Sequence, residues 1–230
     1  MITHYPYQEL GHADHGWLNA RHHFSFADYR NAKRMSFGTL RVINDDIIQA
    51  GSGFATHPHQ NMEIITFVRQ GAISHRDSFG NEGRTAAGDV QVMSAGTGIF
   101  HSEFNREDEE TRLFQIWITP NEMNVAPRWD SFEFPKQADS NALSLLVSGD
   151  GSAPLHIHQD AYIYGGTLAA GASFTQAIHH QVYLLVSEGS IEVEGQTLHR
   201  GDGLEITGQE SFKLSALEES QVLVLDVPES

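Results

Sequence analysis

Apolar residues along this chain come in short runs broken by polar residues and glycines, not in a helical rhythm. Apolar or alternating stretches at residues 39–43, 63–68, 91–93, 113–118, 183–186 and 221–225 each read as a strand with one or both faces on a core. Gly51, Gly71, Gly80, Gly88 and Gly98 punctuate the first half. Hardly any segment sustains apolar positions at a 3.6-residue spacing. Many short strands joined by glycine-containing turns predict an all-β sandwich or barrel, with little helix, rather than a parallel α/β sheet.

The strand pattern of the first half returns in the second. Val68-x2-Gly71-Ala72-Ile73 matches Val186-x2-Gly189-Ser190-Ile191, and Gly88-Asp89 matches Gly201-Asp202. A repeated strand, turn and strand implies two barrels of similar build, expected over residues 1–125 and 126–230. The connection is expected within 120–141, where Pro120, Pro127 and Pro135 stand among polar residues and would break a β-ladder.

Composition narrows the chemistry. The chain has 230 residues, enough to bury two small cores, and no cysteine, which excludes disulfides and thiolate metal sites and leaves nitrogen and oxygen as ligands. Its formal net charge is -16 with histidine neutral, which argues against direct nucleic-acid binding, because a phosphate backbone demands clustered Lys and Arg. Arg30, Lys33 and Arg34, a small basic cluster, read as a solvated loop face. No run approaches the ~18 apolar residues of a membrane span, and the first ten residues lack the pattern of a secretory leader. A cytoplasmic protein with no membrane partner is expected. An acidic surface also suits a basic protein partner, and two barrels in one chain pack as a two-subunit pair would, so a monomer is expected.

Among 14 histidines, His57-Pro58-His59 and His101-Ser102-Glu103 stand out. A spacing of two puts both side chains of a pair on one face of a strand. Two such strands facing each other inside a barrel aim three imidazoles and a carboxylate at one point, a donor set for a divalent first-row metal. His156-Ile157-His158 has the spacing without the surrounding pattern. The first pair lies in G-x5-H-x-H-x3-E from Gly51 to Glu63, and the second in G-x2-H-x3-N from Gly98 to Asn105. These are the two halves of the cupin signature, with Ser94 where Pro is usual, so the expected fold is two tandem cupin (jelly-roll) barrels. In the second half Gly171 leads to Ala177-Ile178-His179, Tyr183 takes the place of Glu63, and no H-x-E follows Gly201. One metal site is expected, in the N-terminal barrel, with a degenerate, metal-free second barrel. Glu63 lies four residues beyond His59 and would share its face in a regular strand, so Glu63 and Glu103 are both candidate acidic ligands.

The stretch His12-x2-His15-Gly16-Trp17-Leu18, then His23-Phe24-Ser25-Phe26, Leu40-Arg41-Val42-Ile43-Asn44-Asp45-Asp46, His57-Pro58-His59 and Met93-Ser94-Ala95-Gly96-Thr97-Gly98-Ile99-x-His101-Ser102-Glu103 resembles the pirin family of bicupins. The resemblance is dense from His12 to Pro120 and general beyond. It implies that His57, His59, His101 and Glu103 hold one divalent ion, and that Glu63 stands behind them, orienting a ligand imidazole. Fe(II) is the first choice by family likeness; the donor set also accepts Ni, Cu, Co, Mn or Zn. Gly96 and Gly98 would then let a tight loop approach the metal where a side chain would obstruct the cavity.

Family members are similar to quercetin 2,3-dioxygenases, which open the central ring of a flavonol with O2 and release carbon monoxide. The implied site leaves the ion one or two positions for a chelating hydroxy-ketone and O2, with Glu103 the natural proton acceptor. A flat aromatic substrate points to Phe37, Phe54, Met62, Gln115 and Trp117 as lining residues, although simple packing of a barrel interior accounts for the same residues. Two other roles follow from the resemblance: metal-dependent binding of a protein partner, as in pirin-like regulators of transcription, and oxygenation of another small enol or phenol.

Overall fold

A computed structural model describes residues 1–139 and 141–229. Almost all regular structure is strand; among the described residues the helical element is a single 3-10 turn at Tyr7–Glu9. Among the described residues no helix is long and apolar enough to cross a membrane. The chain divides into two compact units, one of Gly11–Phe134 with Leu155–Gln159, the other of Met1–Leu10, Pro135–Pro154 and the described residues from Asp160 on.

This division differs from a break at 125/126. Met1–Leu10 falls with the second unit because Ile2–Tyr5 pairs antiparallel with Gly203–Ile206. Arg128–Phe132 falls inside the segment expected to be a connection, yet it forms a strand paired with Val90–Ser94. Pro127 precedes this edge strand and Pro135 follows it, so the prolines bracket the ladder instead of breaking it. Residue 140, also in that segment, lies outside the described residues.

In the first unit, the larger sheet runs Arg128–Phe132, Val90–Ser94, Glu63–Gln70, Thr111–Ile118, Leu40–Ile48, Leu18–His22, Gly11–Asp14. The smaller runs Gly53–His59, Ile99–Phe104, Ala72–Asp77, Glu82–Ala86. Leu18, Ala20, Ile48, Val68 and Leu113 of the larger sheet meet Ile73 of the smaller in one apolar cluster, the inner faces of an antiparallel double-sheet barrel. The expected strand at 39–43 runs on to Ile48 because Asn44, Asp45 and Asp46, polar as they are, are all buried. Asp45 forms a buried ion pair with Arg69.

The second unit has the same build. One sheet contains, in order, Ile2–Tyr5, Gly203–Ile206, Gln181–Glu188, Ser220–Val227, Tyr162–Leu168 and Ser144–Ser148; the other runs Ser173–Ala177, Ser211–Ala216, Ser190–Val193, Gln196–His199. The repeat seen in the sequence is a repeat in hydrogen bonding: Gly88 N–H donates to Val68 carbonyl oxygen at 2.7 Å, and Gly201 N–H to Val186 at 2.8 Å. Gly71 and Gly189 turn the chain at φ 71° and 81°, and a Cβ there would also collide with Thr111 or Ser220. Leu184, Val186, Leu204, Phe212, Leu214, Val222 and Val224 fill the interior, each such side chain contributing about 2 kcal/mol of burial.

The loop at residues 30–34 is not wholly a solvated face. Arg34 is buried, its Nε–H donates to the His23 carbonyl at 3.1 Å, and its guanidinium lies 4.5 Å over the Phe24 ring. Burial, then the Arg34 charge, lowers the His23 imidazole to about 3. Because the unfolded chain titrates near 6.5, it takes up a proton that the folded chain refuses, and stability falls as pH drops from 6.5 toward 3. In urea denaturation, the stability lost between pH 7 and pH 5 should be smaller in His23→Gln by about 2 kcal/mol. An unchanged loss would show that His23 titrates normally in the folded chain.

Candidate metal centre

The histidine pairs lie on neighbouring strands. Gly53–His59, an edge strand and so tolerant of Pro58, pairs antiparallel with Ile99–Phe104, setting His101 opposite His57 and Ile99 opposite His59. Side-chain alternation turns His57, His59 and His101 to one face while Phe100 stays 55% exposed on the other. Donor nitrogens of His57, His59 and His101 converge within 4.8 Å of one another. Ring centroids lie 4.8 Å (His57 to His59), 4.5 Å (His57 to His101) and 5.0 Å (His59 to His101) apart.

His57 and His101 meet at their Nε2 atoms. His57 Nδ1–H donates to the Ala55 carbonyl at 2.7 Å, which leaves its Nε2 bare, and that atom lies 3.1 Å from His101 Nε2. Two nitrogens each about 2.1 Å from one ion, at right angles, would stand about 3.0 Å apart. Burial, then the His57 charge, lowers His59 to about 4; burial, then His57, His59 and His75, lowers His101 to about 2. Both are unprotonated at neutral pH, as ligation requires. The donor set fits a divalent first-row ion.

Glu103 stands beside this trio, not within it. The pairing slips by one residue after His101, so Glu103 faces Phe54 rather than Ala55. Its carboxylate accepts from Gln91 Nε2–H at 2.7 Å, Gln115 Nε2–H at 2.6 Å and the Thr66 hydroxyl at 3.3 Å. Burial raises it to about 7 against those three hydrogen bonds. With His75 and His101 it forms a second group of donors within 4.8 Å. His75, however, lies outside the cavity wall, and both its ring nitrogens face protein partners.

Among the described residues Glu63 makes no hydrogen bond to His57, His59 or His101. Asn61, at φ 49°, turns the chain after His59, so the strand phase is reset before Glu63 begins the larger sheet. Glu63 accepts from the Ser94 hydroxyl at 2.7 Å, its partner across the ladder. Burial raises its carboxyl, with Ser94, His158 and Arg128 acting in opposition. Gly96 does not guard the cavity either: a Cβ there would strike the Val125 backbone. Neither Gly96 nor Gly98 lines the cavity wall.

The histidines open into a cavity of about 1080 Å³. Of the expected lining residues, Phe54, Gln115 and Trp117 are in its wall. Met62 is not; it packs on Ile64, Met93, Ala95 and Ile99. Phe37 is buried in a bridge to Leu40, away from the cavity. Residues missed from the sequence supply much of the remaining wall: Trp17, His22, Phe26, Tyr29, Asn44 and Asp46. Asp46 is 2% exposed with Oδ1 unpartnered, and burial, then Asp45 and Glu103, raises its carboxyl well above the ordinary range. In the second unit, His179 spends its backbone N–H on Asp226 and stacks on Tyr162 at 4.4 Å, while Tyr183 is fully buried. Among the described residues no metal-competent group occurs there.

Two antiparallel double-sheet barrels, one with a histidine trio on its inner face, make this a bicupin. The pirin family model matches residues 4–118, the model for a quercetinase C-terminal cupin domain matches residues 145–227, and the chain belongs to the pirin family. A Pseudomonas aeruginosa relative provisionally named quercetin 2,3-dioxygenase is 54% identical over 231 residues, 99% of this chain and 100% of its own. An Escherichia coli K12 protein named quercetin 2,3-dioxygenase is 41% identical over 223 residues, 96% of each chain. The crystal structure of the Escherichia coli bacterial pirin YhhW in complex with nickel(II) matches with a TM-score of 0.94 at 40% identity, over 100% of both chains.

Titration with Ni(II) should saturate at one ion per chain. His101→Ala should weaken binding by at least about 100-fold, beyond the usual effect of losing an outer partner, and His179→Ala should leave it unchanged. Equal loss from both variants would rule out a site confined to the first unit.

Proposed function

We propose that the chain is a metal-dependent dioxygenase that opens the central ring of flavonols such as quercetin with O2 and releases carbon monoxide. The observation that carries this reading is the convergence of three imidazole nitrogens on the wall of an aromatic-lined cavity, with a buried carboxylate alongside. His57, His59 and His101 would hold the ion, and Glu103, whose carboxylate lies within reach of His101, would complete the set as a fourth ligand. Fe(II) is the first ion to test. Once bound, the ion supplies Lewis acidity that favours the anion of a coordinated hydroxyl, and a centre for reaction with O2.

The chain's own residues do the rest. Glu103, raised to about 7 by burial against its hydrogen bonds, takes the proton of the flavonol 3-hydroxyl, the task for which a base poised near neutrality is suited. Gln91 and Gln115 fix the direction of its lone pairs by donating to separate oxygens. Trp17, Phe26, Phe54 and Trp117 give a flat polyphenol apolar faces to lie against and keep water from the reacting ring. A cavity of about 1080 Å³ accommodates a three-ring molecule. The reading takes the chain as a cytoplasmic monomer.

With Fe(II) bound, the protein should release carbon monoxide from quercetin in air with saturable kinetics, and the metal-free form should not. Glu103→Gln should lower kcat by about 10²–10⁴-fold. No carbon monoxide above the metal-free background, with metal bound one to one, would sink this reading in favour of a metal-gated protein-binding module or an oxygenase of another enol or phenol.

A further inference from the structure

His75 and Asp77 lie on the strand beside the histidine ligands, a third pair with spacing two, and the pairing sets Asp77 opposite His101 and His75 opposite Glu103. Both side chains are fully buried, with no exposed surface. Asp77 is an anchored acceptor: Oδ1 takes the backbone N–H of Phe79 at 2.9 Å and of Asn81 at 3.1 Å, and Oδ2 takes Asn81 Nδ2–H at 2.9 Å. His75 Nε2 lies 3.0 Å from the same Oδ2. A carboxylate so engaged only accepts, so His75 Nε2 carries the proton and its Nδ1 is bare. That bare nitrogen lies 3.4 Å from His101 Nδ1. A His101 proton on Nδ1 would be accepted by His75 there and would leave Nε2 free for an ion, whereas a proton on Nε2 would be accepted by His57 Nε2 at 3.1 Å. The indole of Trp129 stacks on the His75 ring at 4.9 Å and 9°, and Gly83 leaves the room that the indole needs, since a Cβ there would run into it.

We infer that His75, held by Asp77 and Trp129, is a positioning residue that fixes His101 in the tautomer presenting Nε2 to the metal. The inference rests on the metal-site reading above and deepens it. The relay runs from carboxylate to imidazole to imidazole, and it has a direction: reversing the donor at one end reverses every proton along it. Asp77→Asn does this with almost no change of shape. The amide that replaces Oδ2 donates to His75 Nε2 and, once Asn81 turns its side-chain oxygen toward it, to Asn81 as well; His75 then carries its proton on Nδ1, and His101 is left to hold its proton on Nε2, where the ion would bind.

The test is Ni(II) affinity by chelator competition in the wild type, Asp77→Asn, His75→Phe and the double variant, with Arg76→Gln, whose side chain is 70% exposed on the same strand, as control. Long-range proton–nitrogen NMR of the Zn(II)-loaded protein reports which His101 nitrogen holds the proton. Asp77→Asn should bind Ni(II) about 10–100-fold more weakly with an unchanged melting temperature, and should cost nothing further in the His75→Phe background, because its effect passes through His75. Arg76→Gln should bind as wild type. Full affinity in Asp77→Asn, or an equal loss with and without His75, overturns the relay while leaving the metal site intact. A wild-type chain that binds no Ni(II) overturns the metal site and the relay with it.

Discussion

The first unit is organised around the pairing of His101 opposite His57, which brings their Nε2 atoms 3.1 Å apart on the wall of the cavity. Burial disfavours the protonated forms of His59 and His101, which leaves neutral imidazoles able to ligate a cation. The surrounding barrel must be rigid enough to hold the trio in place, and a two-strand ladder closed by two sheets is such a support. The same register gathers the donor atoms of His57, His59 and His101 within 4.8 Å of one another.

A second constraint is the row of polar residues buried beneath the cavity. Thr66, Gln91, Glu103 and Gln115 lie on strands whose neighbouring positions are apolar core, and each satisfies another: Thr85 donates to Gln91 at 3.0 Å, Gln91 and Gln115 to Glu103. A buried network of this kind is costly when broken and directional when whole. It holds Glu103 at a fixed angle beside His101 while leaving the carboxylate near neutrality in affinity for a proton. Ser94 belongs to the same logic: it departs from the usual cupin proline, and its hydroxyl serves the buried Glu63.

Period-two spacing made the histidine strands legible, and apolar runs revealed the six strands first expected. What stayed hidden was hidden for physical reasons. Asn44, Asp45 and Asp46 resemble a loop by composition, because polarity signals exposure unless a cavity or an ion pair lies behind the strand. Glu63 was misplaced because a turn at Asn61 reset the phase of alternation, an event with only a weak sequence signal. Met62 and Phe37 have the right chemistry for a cavity wall and the wrong direction, which depends on turn geometry. The pairing of Ile2–Tyr5 with Gly203–Ile206 joins strands at opposite ends of the chain, beyond any local pattern. His75-Arg76-Asp77, by contrast, obeys the same spacing rule that exposed the ligands, and that rule applied to every His or Asp pair would have found it.

The two units show what the same build does when the chemistry is removed. Where the first leaves an interior cavity lined by histidines, the second packs Leu184, Leu204, Phe212 and Leu214 into its interior and buries Tyr183 completely. Filling gains about 25 cal/mol for each Å² of apolar surface removed from water. A cavity with facing imidazoles forgoes that gain, as a wall shaped to receive a ligand must. The shared Gly71 and Gly189 turns belong to the build that both units have in common, and the histidine register is found in the first unit.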